Sequence, residues 1–321
     1  MTKKQRVAAL ICGEEVDRIP ASFSLHFSKE SVSGKKAIDA HREFFQETDV
    51  DVLKIMNENL FSPDVLIRSP EDWKHIRPIT GKEVYIQNQL DIIKALSDEM
   101  GGDAYIFATI HGVFASAFHA TKDDDMKLAH HDKVTAHLRE SPDVIETALK
   151  NIAEGLVAFV DLCIEAGAEG IYYAALGAES YRFTRDEFSR YIKPNDILVL
   201  EAAKKAPGGT ILHMCKDRLN IDLYKGYPCD IVNWAVNEQN ISLDEGRELF
   251  KKPVLGGFDD RAGVLVEGRK RDIEHEVHRL VNTYGPTNFM LGADCTLPEN
   301  MSYERIRWAV DALQIAKMQV S

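Results

Sequence analysis

Residues 141–173 read SPDVIETALKNIAEGLVAFVDLCIEAGAEGIYY, and they hold the repeating unit of the fold. Ser141 before Pro142 is a capping residue followed by proline at the first helical position. Ile145, Leu149, Ile152, Leu156, Phe159 and Cys163 then share one stripe of a helix running from Val144 to Ala166. Gly170–Tyr173 follows as a short apolar segment of strand character. Outward from this unit, similar segments recur at Ile19–His26, Val52–Met56, Ala104–Ile110, Thr210–Met214, Asp230–Trp234, Pro253–Gly256 and Asn288–Gly292, with helical patterns between them. Thr184 with Glu187, and Ser242 with Glu245, have capping-box spacing. Glu267–Tyr284 and Ser302–Met318 supply the later helices. Eight strands alternating with helices predict an α/β protein, a (β/α)8 TIM barrel covering residues 1–321 as one domain. A doubly wound open sheet is the alternative, weakened because no glycine-rich phosphate loop follows the first strand. The stretches 57–102 and 121–141 are long for connections and are expected to form excursions. Within the second, Asp123–Asp125 and His130–His131 could be read as a metal site, but a solvated helix or loop outside the barrel is the favoured reading, since three consecutive aspartates cannot share one face.

Composition narrows the function. With 321 residues, 45% of them hydrophobic and 28% charged, the chain is globular. Its 39 Lys+Arg against 51 Asp+Glu leave a net charge of −12, unsuited to gripping nucleic acid phosphates or an anionic membrane surface. The only apolar run near the start, Val7 to Cys12, is too short for a signal peptide, and no stretch approaches the ~20 apolar residues of a membrane span. A soluble, cytoplasmic protein is expected, with a homodimer as the base-rate assembly. Five cysteines, an odd number in a long chain, argue against a disulfide framework. Any special cysteine is therefore expected to be a metal ligand or a nucleophile.

In a barrel of this kind the chemistry lies at the C-terminal ends of the strands. The residues there include His26, Asn57 with Glu58, His111, Tyr173, Glu179, His213 with Cys215, Asn233, Asp259 with Asp260, and Asp294 with Cys295. One group stands out. The fifth predicted strand reads TILHMCKD (210–217), and the eighth ends LGADCTLP (291–298). Residues two apart on a strand point the same way, so His213 and Cys215 can offer nitrogen and sulfur to one point while Met214 faces the outer helices. Cys295 can reach that point across the barrel mouth. One histidine and two cysteines suit Zn2+, with a fourth tetrahedral position left for a substrate. The alternative is that they are packing residues, as buried free cysteines often are. Cys12, Cys163 and Cys229 are read as structural.

Several stretches together resemble the uroporphyrinogen decarboxylase family. They are RVAALICGEEVDRIP (6–20), Leu255-Gly256-Gly257-Phe258-Asp259, and Val264–Gly268 with the helix after it. His213-Met214-Cys215 with Cys295 is similar to the H-x-C…C zinc pattern of that family's methyltransferase branch, which includes methylcobalamin:coenzyme M methyltransferases. Cobalamin-independent methionine synthase has a related arrangement, with a glutamate where this chain has Asn233. The resemblance implies a zinc-dependent, corrinoid-linked methyltransferase. His213, Cys215 and Cys295 would hold Zn2+, and a methyl-corrinoid on a separate corrinoid protein would exchange methyl groups with a small-molecule acceptor, a thiol in the leading reading. His26, His111, Tyr173 and Asp259 are the further candidates for orienting acceptor or corrinoid. One alternative has methyl passing from a small donor to a Co(I) corrinoid. Another is a tetrapyrrole-binding or decarboxylating enzyme. Against the last, Pro20–Phe27 holds none of the arginines that the family's decarboxylases place on the first strand for a substrate with many carboxylates.

Overall fold

Strands form where short apolar runs carry β-branched and aromatic side chains. The strands are β1 (Val52–Ile55), β2 (Tyr105–His111), β3 (Gly170–Ala175), β4 (Thr210–Met214), β5 (Ile231–Trp234), β6 (Val254–Phe258) and β7 (Phe289–Ala293). All are parallel and hydrogen-bonded in chain order, β1 through β7. A doubly wound sheet would reverse its order at the centre, so the sequential order rules that alternative out. The computed structural model describes residues 1–121, 132–285 and 287–320, with side chains to Gln314. Asp123–Asp125 and His130–His131 lie outside the described residues. The stretch 57–102 carries a short helical turn at Pro70–His75 and the helix Val84–Met100.

The eighth position is filled differently from expectation. Ile19–His26 forms no continuous ladder; it makes isolated parallel bridges from Ala21 to Leu291 and from Leu25 to Leu297. Pro20 brings no N–H, but its carbonyl still accepts from Leu291. On its other side, Ala21 exchanges bonds with Asp51, just before β1: the Asp51 N–H donates to the Ala21 carbonyl, and the Ala21 N–H donates to the Asp51 carboxylate. The segment thus closes the sheet between β7 and β1. Gly292 permits the close approach, since a Cβ there would meet Leu255 Cδ1 at 2.4 Å and the Ser22 carbonyl oxygen at 2.6 Å. A second difference is the helix expected over Glu267–Tyr284. It starts three residues later, as Lys270–Tyr284, and Glu267 instead ends a separate short helix, Gly263–Glu267.

Side-chain alternation divides the apolar core in two. The outer layer, between sheet and helices, holds Met214, Tyr173 and the stripe of the helix Pro142–Glu165. The inner cluster joins Val52, Tyr105, Phe107, Tyr172, Ile211, Ile231, Leu255 and Met290 to Val7 and Leu10 of the helix Lys3–Cys12. Most of these strand residues stand at strand starts, so that helix stoppers the N-terminal end of the barrel. Arg6 and Arg18 fix it there by converging on the fully buried Asp51 carboxylate. Among the described residues, no helix is long and apolar enough to cross a membrane.

Candidate metal centre

The barrel brings His213, Cys215 and Cys295 together at the C-terminal ends of β4 and β7. Their ligand atoms all lie within 4.8 Å of one another, and His213 Nε2 is 3.4 Å from Cys295 Sγ. A tetrahedral zinc with bonds of about 2.3 Å to sulfur and 2.0 Å to nitrogen would hold its donors roughly 3.5–3.8 Å apart. The donor set and its spacing therefore fit the ion. A hydrogen bond between the two sulfurs, together with burial, holds the Cys215 thiol well above its usual range. The same bond favours Cys295 as the thiolate, against its burial and with help from His213. Among the described residues no carboxylate joins the group. Glu179 is bound to the Gly177 N–H and Arg182, Glu238 pairs with Arg261, and Asp294 accepts from Asn237. Among the described residues, no further His, Cys, Asp or Glu side chain stands at a fourth position.

Asn233, the register neighbour of His213, sets the histidine's tautomer. Its amide nitrogen donates to the carbonyls of Leu255 (2.9 Å) and Ala293 (3.1 Å), which turns Oδ1 toward His213 Nδ1 at 2.5 Å. An amide oxygen only accepts, so the imidazole carries its proton on Nδ1 and presents the Nε2 lone pair to the sulfurs. The Tyr172 hydroxyl also donates to Asn233 Oδ1 (3.2 Å), and its ring stacks on the imidazole at 5.6 Å. Replacing Asn233 by alanine is expected to weaken metal binding about 10–100-fold while leaving the three ligands present, as read by competition with a chromophoric chelator.

Of the weaker candidates, His111 points into the barrel mouth, its ring edge-on to His119 at 4.9 Å. Burial, with the His119 charge adding to it, pulls its pKa down to about 3, so it stands neutral. His26 lies on the rim with its side chain 55% exposed, Nδ1 2.8 Å from Glu58 Oε1. Asp259 accepts the N–H groups of Arg261 and Ala262, which shapes the turn after β6. Its neighbour Asp260 is the buried one, lifted to about 6 by burial and then by Cys295. Tyr173 faces the outer layer, where its hydroxyl donates to Asp196 at 2.5 Å; the alternation puts Tyr172 inside instead. Reading Tyr173 as a mouth residue takes it from the wrong face of its strand.

Lys54 escaped the sequence reading. It interrupts the apolar strand β1 in phase with inward-facing Val52, and that interruption was the available signal. Its ammonium is buried, hydrogen-bonded to Ser24 Oγ (3.2 Å) and Thr296 Oγ1 (3.3 Å), and lies 3.8 Å from the centre of the Tyr172 ring. Burial pulls its pKa to about 8, while Cys295 and Cys215 hold it up. A cleft of about 1030 Å³ between Phe61, His75 and Tyr85 shares no residue with the centre.

The sequence profile described as uroporphyrinogen decarboxylase (URO-D) matches residues 61–315, most of the chain and both halves of the centre. The chain belongs to the uroporphyrinogen decarboxylase family. It is 24% identical over 210 residues to the methylcobamide:CoM methyltransferase MtbA of Methanosarcina acetivorans. That match takes in 65% of this chain and 58% of the relative, so it spans little more than half the relative's length. Among solved structures, a methyltransferase from Methanosarcina mazei superposes with a TM-score of 0.77 at 17% identity, over 98% of this chain and 99% of that one. A B12-independent methionine synthase from Shewanella sp. W3-18-1 gives 0.61 at 12% identity, over 94% and 98%. At such identities these two show the shared fold.

Proposed function

We propose that the protein is a zinc-dependent, corrinoid-linked methyltransferase in which His213, Cys215 and Cys295 are the metal ligands and a small thiol is the methyl acceptor. The observation that carries this reading is the convergence of one imidazole and two thiols at the barrel mouth with no carboxylate among them. A zinc ion held there supplies the Lewis acidity that keeps a thiol ionised near neutral pH. Asn233 holds the ligand tautomer of His213, and Tyr172 backs its ring. The acceptor sulfur takes the methyl group from a methyl-corrinoid on a separate corrinoid protein. The carbon–cobalt bond breaks with its electron pair left on cobalt, the carbon–sulfur bond forms, and the thiol proton goes to solvent. The mouth location of the centre suits a carrier too bulky to enter the barrel. In this reading His111, neutral and inward, and the rim residues His26 and Asp259 would orient acceptor or carrier.

The MtbA relative, whose name pairs a methylcobamide with CoM, supports this direction of transfer. A tetrapyrrole decarboxylase is disfavoured by the first segment. The nearby arginines Arg6 and Arg18 are both spent on Asp51 at the opposite end of the barrel.

The direction is tested with free cobalamin. Methylcobalamin plus simple thiols should yield the methyl thioether and the cob(I)alamin spectrum, at a rate requiring the metal-loaded protein. Background rates with every thiol, despite stoichiometric zinc, would overturn the thiol-acceptor reading. Methylation of cob(I)alamin by methoxylated or N-methylated compounds would then establish the reverse direction.

A further inference from the structure

Lys54 is a buried cation with no carboxylate partner. It makes no ion pair among the described residues; its contacts are two hydroxyl oxygens and the face of an aromatic ring. Cys295, Cys215 and Glu58 favour its charged form against its burial. It is linked closely to the centre from two sides. Thr296, which accepts from it, follows Cys295 in the chain, and the Tyr172 ring beneath it stacks on His213.

A buried ammonium is costly unless a nearby anion compensates it. The zinc reading of the preceding subsection, on which this inference rests, does not by itself supply one. Two thiolates cancel the dication, a neutral imidazole adds nothing, and Glu58 is engaged by His26 on the rim, so ion, three ligands and Lys54 together carry +1. A fourth ligand bearing one negative charge brings that sum to zero. A thioether, an ether oxygen, an amine or water leaves it at +1. We propose that Lys54 makes the open fourth position selective for an anionic sulfur, and so biases the centre toward thiols and against neutral methyl compounds. Once methylated, the sulfur is neutral and loses this attraction, which helps the product leave.

The test uses the full chain loaded with cobalt(II), whose visible spectrum reports the fourth ligand. The probes are 2-mercaptoethanol, which carries no charge beyond its sulfur, and its S-methyl ether. The variants are Lys54→Met and Lys54→Gln, the latter keeping hydrogen bonds to Ser24 and Thr296 should the apolar replacement not fold. Both are expected to keep one metal per chain, because removing a neighbouring cation does not weaken binding of a cation. Affinity for 2-mercaptoethanol should fall about tenfold or more, with thioether affinity unchanged or improved. Lys54→Arg should restore thiol affinity. Equal thiol affinity in parent and variants would overturn the role of Lys54 alone. Loss of metal from a folded variant would also overturn it, by showing a structural role. Failure of the parent to take up any metal would remove the zinc reading itself, and this inference with it.

Discussion

Replacing Cys215 and Cys295 together by alanine is expected to take the purified protein from about one zinc per chain to background. Methyl transfer should fall well beyond the 10–100-fold expected from losing an outer contact. The argument is one of ligand count. The chain offers three donors whose atoms lie within 4.8 Å of one another, and no carboxylate among the described residues stands ready to replace a lost one. Removing both sulfurs leaves a lone imidazole, which does not retain zinc at protein concentrations. Both cysteines lie at the mouth and are only half-buried, so the variant should keep the melting temperature of the metal-free parent. Elemental analysis beside a thermal melt checks both halves. Absence of metal in the parent, even after reconstitution under reducing conditions, would reduce the three residues to packing side chains.

The second large effect is expected at the other end of the barrel. Asp51 is fully buried and accepts four hydrogen bonds. Arg6 Nη1 donates at 2.5 Å, Arg18 at 2.7 and 3.2 Å, and the Ala21 N–H at 2.8 Å. Asp51→Ala would leave the Arg18 guanidinium in the interior without its counter-charge, and Arg6 with Asp17 alone. Breaking such a buried network by removing one partner costs about 3–5 kcal/mol, against about 1 kcal/mol for an ordinary hydrogen bond. The change also frees the backbone of the closing segment at Ala21 and the stopper helix at Arg6. Denaturant unfolding should show the full loss in midpoint with little change in slope. Asp51→Asn keeps the shape but not the charge, and should fall between parent and Asp51→Ala. A midpoint unchanged in Asp51→Ala would show that the stopper and the closing segment hold without this carboxylate.

The sequence discloses the barrel because the fold repeats. Each capped helix and apolar strand predicts the next, and seven of the strands lie within a few residues of their expected bounds. The exception, Ile19–His26, pairs through a proline-bearing segment whose partners are far away in the chain, and apolar character alone cannot distinguish a ladder from two bridges. Convergence of His213 with Cys215 follows from strand periodicity, but the approach of Cys295 depends on closure of the whole barrel. The same periodicity, applied at β3, would have chosen Tyr172 over Tyr173; choosing by position at the strand end overlooked the face. Lys54 and Asn233 were harder to see because their meaning is relational. A lysine within a strand becomes informative only when its neighbours prove to be two hydroxyls, a ring and two thiols. An asparagine becomes a tautomer-setting partner only when both its amide hydrogens are seen to be taken.

The stopper helix also governs traffic. With Val7 and Leu10 packed into the floor, the barrel is a blind well, and whatever reaches His213, Cys215 and Cys295 must come and go by the mouth. A corrinoid protein lowered onto that opening would seal in whatever was already inside and shut out whatever was not. For the proposed reaction the topology therefore dictates a queue: acceptor in first, carrier second, carrier off before product. Rates measured at rising carrier concentration should accordingly pass through a maximum, as carrier that docks on an empty well blocks the only door.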